Sequence, residues 1–163
     1  MFYFSDRDLI RAFIEAQQRG CLIRIILDPN KDAFGREKNG IPGRPVAYEL
    51  QKNGVPVRWC DTHGEQCHMK MLLAEYRNGS SVLIAGSANF TRRNLENFNL
   101  ETNVMVRGSR GTVAFRDARL FFDAYWMNEA GRLFSTPYAT FADESLFKRA
   151  LYQFMERSGI STF

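Results

Sequence analysis

Apolar and polar positions change their period several times along this chain, and each change predicts an element. Phe2–Phe4 is a short apolar run that reads as a strand. Leu9, Ile10, Phe13, Ile14 and Ala16 then recur at helical spacing. Ser5, with Asp8 three residues later, gives that helix a start of the capping-box kind, and Gly20 ends it. Residues 21–27 are a β-rich run closing at Asp28-Pro29-Asn30. A strand, a helix and a strand in so few residues imply a parallel pair with a crossover helix. Residues 31–44 form a long polar loop whose four basic residues and three glycines could frame an anion or simply be solvated. Pro45 opens a helix through Leu50 that ends near Asn53-Gly54, and Val55–Cys60 is another strand. Cys67–Tyr76 and Ser81–Ala85 flank Asn78-Gly79 and read as a hairpin. Thr91–Asn97 predicts one or two helical turns, and Leu100–Val106 a further strand. Thr112–Asn128 is a helix whose aromatic face (Phe115, Phe121, Phe122, Tyr125, Trp126) is expected in the core. Residues 131–142 read as loop, and 143–157 as a last amphipathic helix. There is no internal repeat and no low-complexity segment.

The bulk numbers add bounds. A chain of 163 residues suits one domain with a proper core. Its 45% hydrophobic and 25% charged residues are those of a soluble globular protein. A net charge of +4 favours anionic partners such as phosphates, nucleic acid or lipid headgroups without choosing among them. No apolar run approaches the ~18 residues of a spanning helix. The apolar start is followed at once by Ser5-Asp6-Arg7-Asp8, which excludes a signal peptide. Three cysteines, Cys21, Cys60 and Cys67, are an odd count without scaffold-like spacing, so the expectation is reduced thiols and no disulfide framework.

The candidate chemistry is concentrated in residues 68–101. His68 and Lys70 stand two apart on a predicted strand, so both side chains leave on one face. Gly86-Ser87-Ala88-Asn89 ends the partner strand, where Gly86 permits close approach to a ligand and Ser87 and Asn89 share a parity. Asn99-x-Glu101 follows. A nucleophile, a cation, two hydrogen-bond donors and a carboxylate thus stand in the order that metal-free phosphodiester cleavage needs. The chain has two histidines, and His63 is not part of a second His-x-Lys.

This ordered set resembles the HKD motif of the phospholipase D superfamily, His-x-Lys-x4-Asp followed by Gly-Ser-x-Asn, and the resemblance covers roughly residues 1–130. The position of the motif Asp is held by Glu75, whose parity is opposite to that of His68 and Lys70; a structural role is expected there. The resemblance implies an α/β fold, a mixed and mostly parallel β-sheet flanked by helices on both faces, in a single domain with a helical extension at about 143–157. It also implies that His68 attacks phosphorus and forms a phosphohistidine. Glu101 would accept from the other ring nitrogen and fix the tautomer. Lys70, Asn89 and Ser87 would hold the nonbridging oxygens, with no metal and no cofactor needed. In this family a second histidine from a second HKD copy protonates the leaving group. Either a homodimer mate or an upstream half of the same chain would have to supply it. The half-enzyme reading is favoured, because a strand and helix usually precede the equivalent of Phe2–Phe4, whereas the C-terminal tail looks complete.

Competing readings remain open. Cys60-x2-His63-x3-Cys67-His68 superficially resembles zinc-ligand spacing, but neighbouring strand residues point to opposite faces, and no stable metal is expected. His63 lines the approach to the site or caps its loop. Arg92 and Arg93 could bind a second phosphate or headgroup, or lie solvated. Three functional classes follow: a lipid phosphodiesterase or phosphatidyltransferase of cardiolipin-synthase-like chemistry, a homodimeric metal-independent nuclease, and a non-catalytic phosphate- or zinc-binding module. The low charge and the half-enzyme character favour phospholipid over nucleic acid. Trp59, Phe90 and Phe98 could contact acyl or headgroup surface, although core packing explains them equally. The expected setting is a soluble domain facing a membrane.

Overall fold

The computed structural model describes residues 1–33, 36–96 and 98–159. Part of the predicted polar loop, at 34–35, and Asn97 at the end of the predicted turn lie outside the described residues. The element order is α1 (Arg7–Gln18), β1 (Ile25–Leu27), β2 (Asp32–Ala33), β3 (Arg36–Glu37), α2 (Gly43–Lys52), β4 (Val57–Cys60), β5 (Met71–Glu75) and β6 (Ser80–Gly86). There follow α3 (Arg92–Leu95), β7 (Asn103–Ser109), α4 (Val113–Met127), β8 (Ser135–Pro137) and α5 (Leu146–Ser158), with short 3-10 turns on either side of β8.

Two three-stranded sheets carry the architecture, β1-β4-β8 and β5-β6-β7, beside the small β2–β3 ribbon. The N-terminal segment links them. The Met1 amino group donates to the Ile26 carbonyl at 3.0 Å, and the Met1 carbonyl accepts from the Asp28 N–H at 2.8 Å. Phe4 then forms a parallel bridge with Phe90. The expectation of a mostly parallel sheet is corrected here. Among the described strands, β1 with β4 is the one parallel pair, and β2–β3, β4–β8, β5–β6 and β6–β7 are antiparallel. The reason is local. The turn at Tyr76–Gly79, with Gly79 at φ 82°, folds β6 straight back on β5. The stretch read as plain loop at 131–142 also contains β8, which adds antiparallel to β4.

Helices do cover both faces of the β4 sheet. Val57 and Trp59 turn into a core with Phe4, Ile10, Leu27, Val46, Leu50 and Tyr152, which places α1, α2 and α5 on that side. Arg58, of opposite parity, lies over the ring of Trp126 from α4 and donates to Ser135. Trp59 is fully buried, and its indole N–H donates to the Tyr138 carbonyl at 2.8 Å, so it is core and not a substrate contact. A polar lock ties the three helices of the core side. The Arg7 guanidinium donates to both oxygens of Glu49, each at 2.7 Å, and to the Tyr152 hydroxyl at 2.6 Å.

Local signals hold with small shifts. Asp6, rather than Ser5, caps α1, accepting the Leu9 N–H at 2.8 Å. The aromatic face of α4 is only partly interior: Phe115 is fully buried, while Phe121 is exposed and its ring leans on Tyr125. Among the described residues, no helix is long and apolar enough to cross a membrane.

Candidate active site

The site lies where the two sheets approach each other. His68 and Lys70 do not stand on a regular strand, since β5 begins only at Met71. They sit in the extended segment leading into it, held because the Lys70 carbonyl accepts the Gly86 N–H at 3.2 Å. Alternation survives in that segment, and the two side chains meet: the Lys70 Nζ lies 2.9 Å from both ring nitrogens of His68. Lys70 is 5% exposed, whereas the His68 ring faces solvent. An exposed imidazole therefore rests on a buried ammonium. The ring of Phe2 packs against it with centroids 5.5 Å apart.

This arrangement sets the charges. Burial holds the His68 imidazole below its ordinary value, and the Lys70 ammonium pushes it further the same way; the Asp28 carboxylate opposes both. Burial also lowers Lys70, against the pull of the Glu101 carboxylate. The outcome is a neutral imidazole at neutral pH, the form in which a ring nitrogen has a lone pair to give.

Glu101 is brought to the site by a different set of bonds from the one expected. Its carboxylate accepts from the Ser87 hydroxyl, from the Asn94 amide and, at 3.0 Å, from the Asn99 amide. Among the described residues no hydrogen bond joins Glu101 to His68; the group against the imidazole is Lys70. Glu101 is held below the ordinary carboxylate range by the Ser87 hydroxyl first, with the two amides and Lys70 adding to it. Asn94 is a member that the spacing did not reveal. It enters through the cap of α3, where the Thr91 hydroxyl donates to its Oδ1 at 2.8 Å.

Asn89 accepts the Tyr3 N–H on its Oδ1 at 3.3 Å, and among the described residues no hydrogen bond runs from its amide hydrogens. At Gly86 the close approach is to the chain itself. A Cβ there would lie 2.3 Å from both the Thr102 carbonyl and Asn103 Oδ1, so the glycine lets β7 pack tightly against the end of β6.

Other predicted residues stand elsewhere. Arg92 faces α5 and its own loop: its backbone N–H donates to Glu156, its guanidinium pairs with Glu96 and reaches the Arg157 carbonyl, and it lies over the Phe98 ring. Arg93 is exposed. His63 stands on the loop after β4, 3.0 Å from Asp61 Oδ2, with its backbone N–H on Glu65. Glu75 points to α4, where Arg119 donates to it and Arg110 lies 3.6 Å away, so it fastens the hairpin to the helix.

Two of the cysteines are corrected. Cys60 and Cys67 form a disulfide with Cα atoms 6.2 Å apart, and Cys21 is free and exposed. The loop after β4 doubles back to the sheet end from which it left, which the spacing in sequence did not disclose. The zinc reading loses both thiolates to this bond, and the described residues contain no cluster of three or more metal-ligating side chains.

The loop between α3 and β7 has an unusual polarity. Asn99, itself exposed, donates to Glu101, as does Asn94 from α3, and the apolar side chains of the loop turn out: Phe98 is 65% exposed and Leu100 98%. A family model described as cardiolipin synthase, PLD-like domain, matches residues 1–126. No curated protein and no solved structure gives a match.

Proposed function

Because this chain belongs to the phospholipase D superfamily, through the cardiolipin-synthase-type domain matched over residues 1–126, we propose that it is a phosphodiesterase or phosphatidyltransferase acting on phospholipids through a phosphohistidine on His68. The observation that carries the reading is the buried Lys70 ammonium set against a solvent-facing imidazole. One ring nitrogen of His68 attacks phosphorus, an N–P bond forms and the P–O bond to the leaving group breaks. Lys70, with the amide hydrogens of Asn89, stabilises the charge that grows on the nonbridging oxygens. The Ser87 hydroxyl, bonded to Glu101, is set to join them when a phosphate enters.

The leaving alkoxide needs a proton, and His63 is engaged with Asp61 away from this cluster. A second HKD motif, from another half or from a second copy, supplies that proton. Water or an alcohol then takes the phosphoryl group from His68 and completes hydrolysis or transfer. The lipid reading rests on the exposed side chains of Phe98 and Leu100, an apolar pair close in sequence to Glu101.

The test is to incubate the protein with phosphatidylglycerol vesicles, quench in base and look for an acid-labile phosphoryl adduct on His68. Headgroup release or exchange that His68→Ala abolishes supports the reading. Turnover that survives His68→Ala refutes it. Salt-sensitive cleavage of single-stranded DNA without lipid turnover would move the chain to the nuclease class.

A further inference from the structure

The run Asp28-Pro29-Asn30 reads from sequence only as the end of a strand. In the structure its two polar side chains are buried at the carboxyl end of β1, with Asp28 1% exposed. Asp28 Oδ2 accepts the Cys67 N–H at 2.7 Å, and its Oδ1 accepts the Asn30 N–H at 2.7 Å and the Asn30 amide at 3.3 Å. Asn30 takes a left-handed backbone, φ 46°, which asparagine tolerates better than most residues. Its amide donates to the Phe2 carbonyl at 2.8 Å, and its Oδ1 accepts the Gly43 N–H at 2.8 Å. The start of α2 is fitted closely to this knot, since a Cβ on Gly43 would lie 2.5 Å from Asn30 Oδ1.

Both arms of the knot end at the candidate nucleophile. Cys67 is the residue before His68, and the Phe2 ring packs tilted against the His68 ring. A buried carboxylate is costly, and an apolar or amide side chain would fill the same space at a smaller desolvation penalty. A group kept in spite of that cost, and spent on the backbone next to His68, has a role in placing it.

We propose that Asp28, braced by Asn30, is a positioning residue for His68: it fixes the backbone immediately before the nucleophile and sets a negative charge behind the imidazole. The proposal rests on the reading of His68 as the nucleophile. The charged groups that act on the imidazole at neutral pH are then two, Lys70 on one side and Asp28 on the other, because burial lowers the pKa of the Met1 amino group to about 5 and leaves it uncharged.

The experiment compares wild type, Asp28→Asn, Asp28→Ala and Asn30→Gly. Asp28→Asn keeps the shape but offers one acceptor oxygen and no charge. Asn30→Gly keeps the left-handed backbone and removes the side-chain bonds. Three readouts are taken on the folded fraction: kcat and KM on phosphatidylglycerol vesicles, the pH titration of the His68 ring by NMR, and Tm. Asp28→Asn is expected to lower kcat about 10- to 100-fold with KM unchanged, as loss of an orienting partner typically does. Its His68 titration moves to lower pH, because the anion that favoured the imidazolium is gone. Asp28→Ala loses more, and Asn30→Gly loses about tenfold through Phe2 and the weakened hold on Asp28.

A lower Tm in all three variants, with kcat per folded molecule and the His68 titration both at wild-type values, would overturn the proposal. So would a rise in KM at constant kcat. If wild type turns over no phospholipid yet Asp28→Asn still shifts the His68 titration downward, the functional reading fails and the positioning role stands.

Discussion

Gly86→Ala separates two reasons for a glycine beside a phosphate site. If the glycine made room for a ligand, an added methyl would leave stability intact and impair substrate binding alone. The structure gives the opposite expectation. The new Cβ would lie 2.3 Å from the Thr102 carbonyl and from Asn103 Oδ1, and 2.7 Å from Asn103 Cα, where ordinary contact begins at 3.4 Å. Two of these three atoms are backbone and cannot rotate away, so the strands must part by about 1 Å, with an overpacking cost of about 1–3 kcal/mol. For a domain of this size that lowers Tm by about 2–12 °C. The displaced segment carries Ser87 on one side and Glu101 on the other, and the Gly86 N–H is bonded to the Lys70 carbonyl. A misplacement of about 1 Å in a catalytic constellation costs on the order of 100-fold in rate. The assay is urea or thermal unfolding alongside kcat on phospholipid vesicles. A variant with wild-type Tm and a raised KM would refute the packing argument and restore the ligand-approach reading.

Three further outcomes follow from the same geometry. Lys70→Met removes the ammonium that penalises the imidazolium, so the acid limb of the kcat/KM profile, set in wild type below the ordinary imidazole range by burial and by Lys70, moves up in pH. The same change lowers kcat by about 10²–10³-fold through the lost contact to the nonbridging oxygens; an unmoved limb would dissociate Lys70 from His68. Glu49→Gln breaks the two-pronged bond from Arg7 on the core side and should cost about 1–3 kcal/mol in chemical denaturation, with activity per folded molecule unchanged. Phe98→Ser combined with Leu100→Ser is expected to lower turnover on phospholipid vesicles about tenfold while sparing a short-chain, monomerically dissolved substrate, and equal effects on both would exclude an interfacial role for the loop.

Elements written in short-range signals were legible in the sequence. The stripe at Leu9, Ile10, Phe13 and Ile14 gave α1, Asn78-Gly79 gave the β5–β6 turn, and the parity of Glu75 gave a direction away from His68 and Lys70, which the structure fills with Arg119 of α4. Features decided by distant partners were not. β8 is three residues long and exists because β4 offers it an edge. The Cys60–Cys67 bond depends on a loop doubling back, which spacing alone does not encode. The direction of the sheet failed for a related reason: the parallel strand pair forms between β1 and β4 across α2, not between the Phe2–Phe4 run and β1 across α1, and the other described strand pairs are antiparallel.

The candidate site shows the same division within a few residues. His68 and Lys70 are two apart, so alternation alone brings them together, even outside a regular strand. Glu101 and Ser87 were also visible, but in separate roles, Glu101 as the acceptor for the His68 ring and Ser87 as a donor to the phosphate; their bond to each other depends on β6 and β7 closing against Gly86. Asn94 and Asp28 carried no signal, because an asparagine in a capped turn and an aspartate before Pro29 have ordinary local explanations. What makes them part of the site is burial, which turns a turn residue into a fixed hydrogen-bonding partner. On the proposed mechanism the motif names the groups that touch the phosphate, while the groups that hold those in place are distributed over β1, α3 and the N-terminal segment. Substitutions at the motif should change the chemistry, and substitutions at Asp28, Asn30 or Asn94 should change the geometry in which that chemistry is carried out.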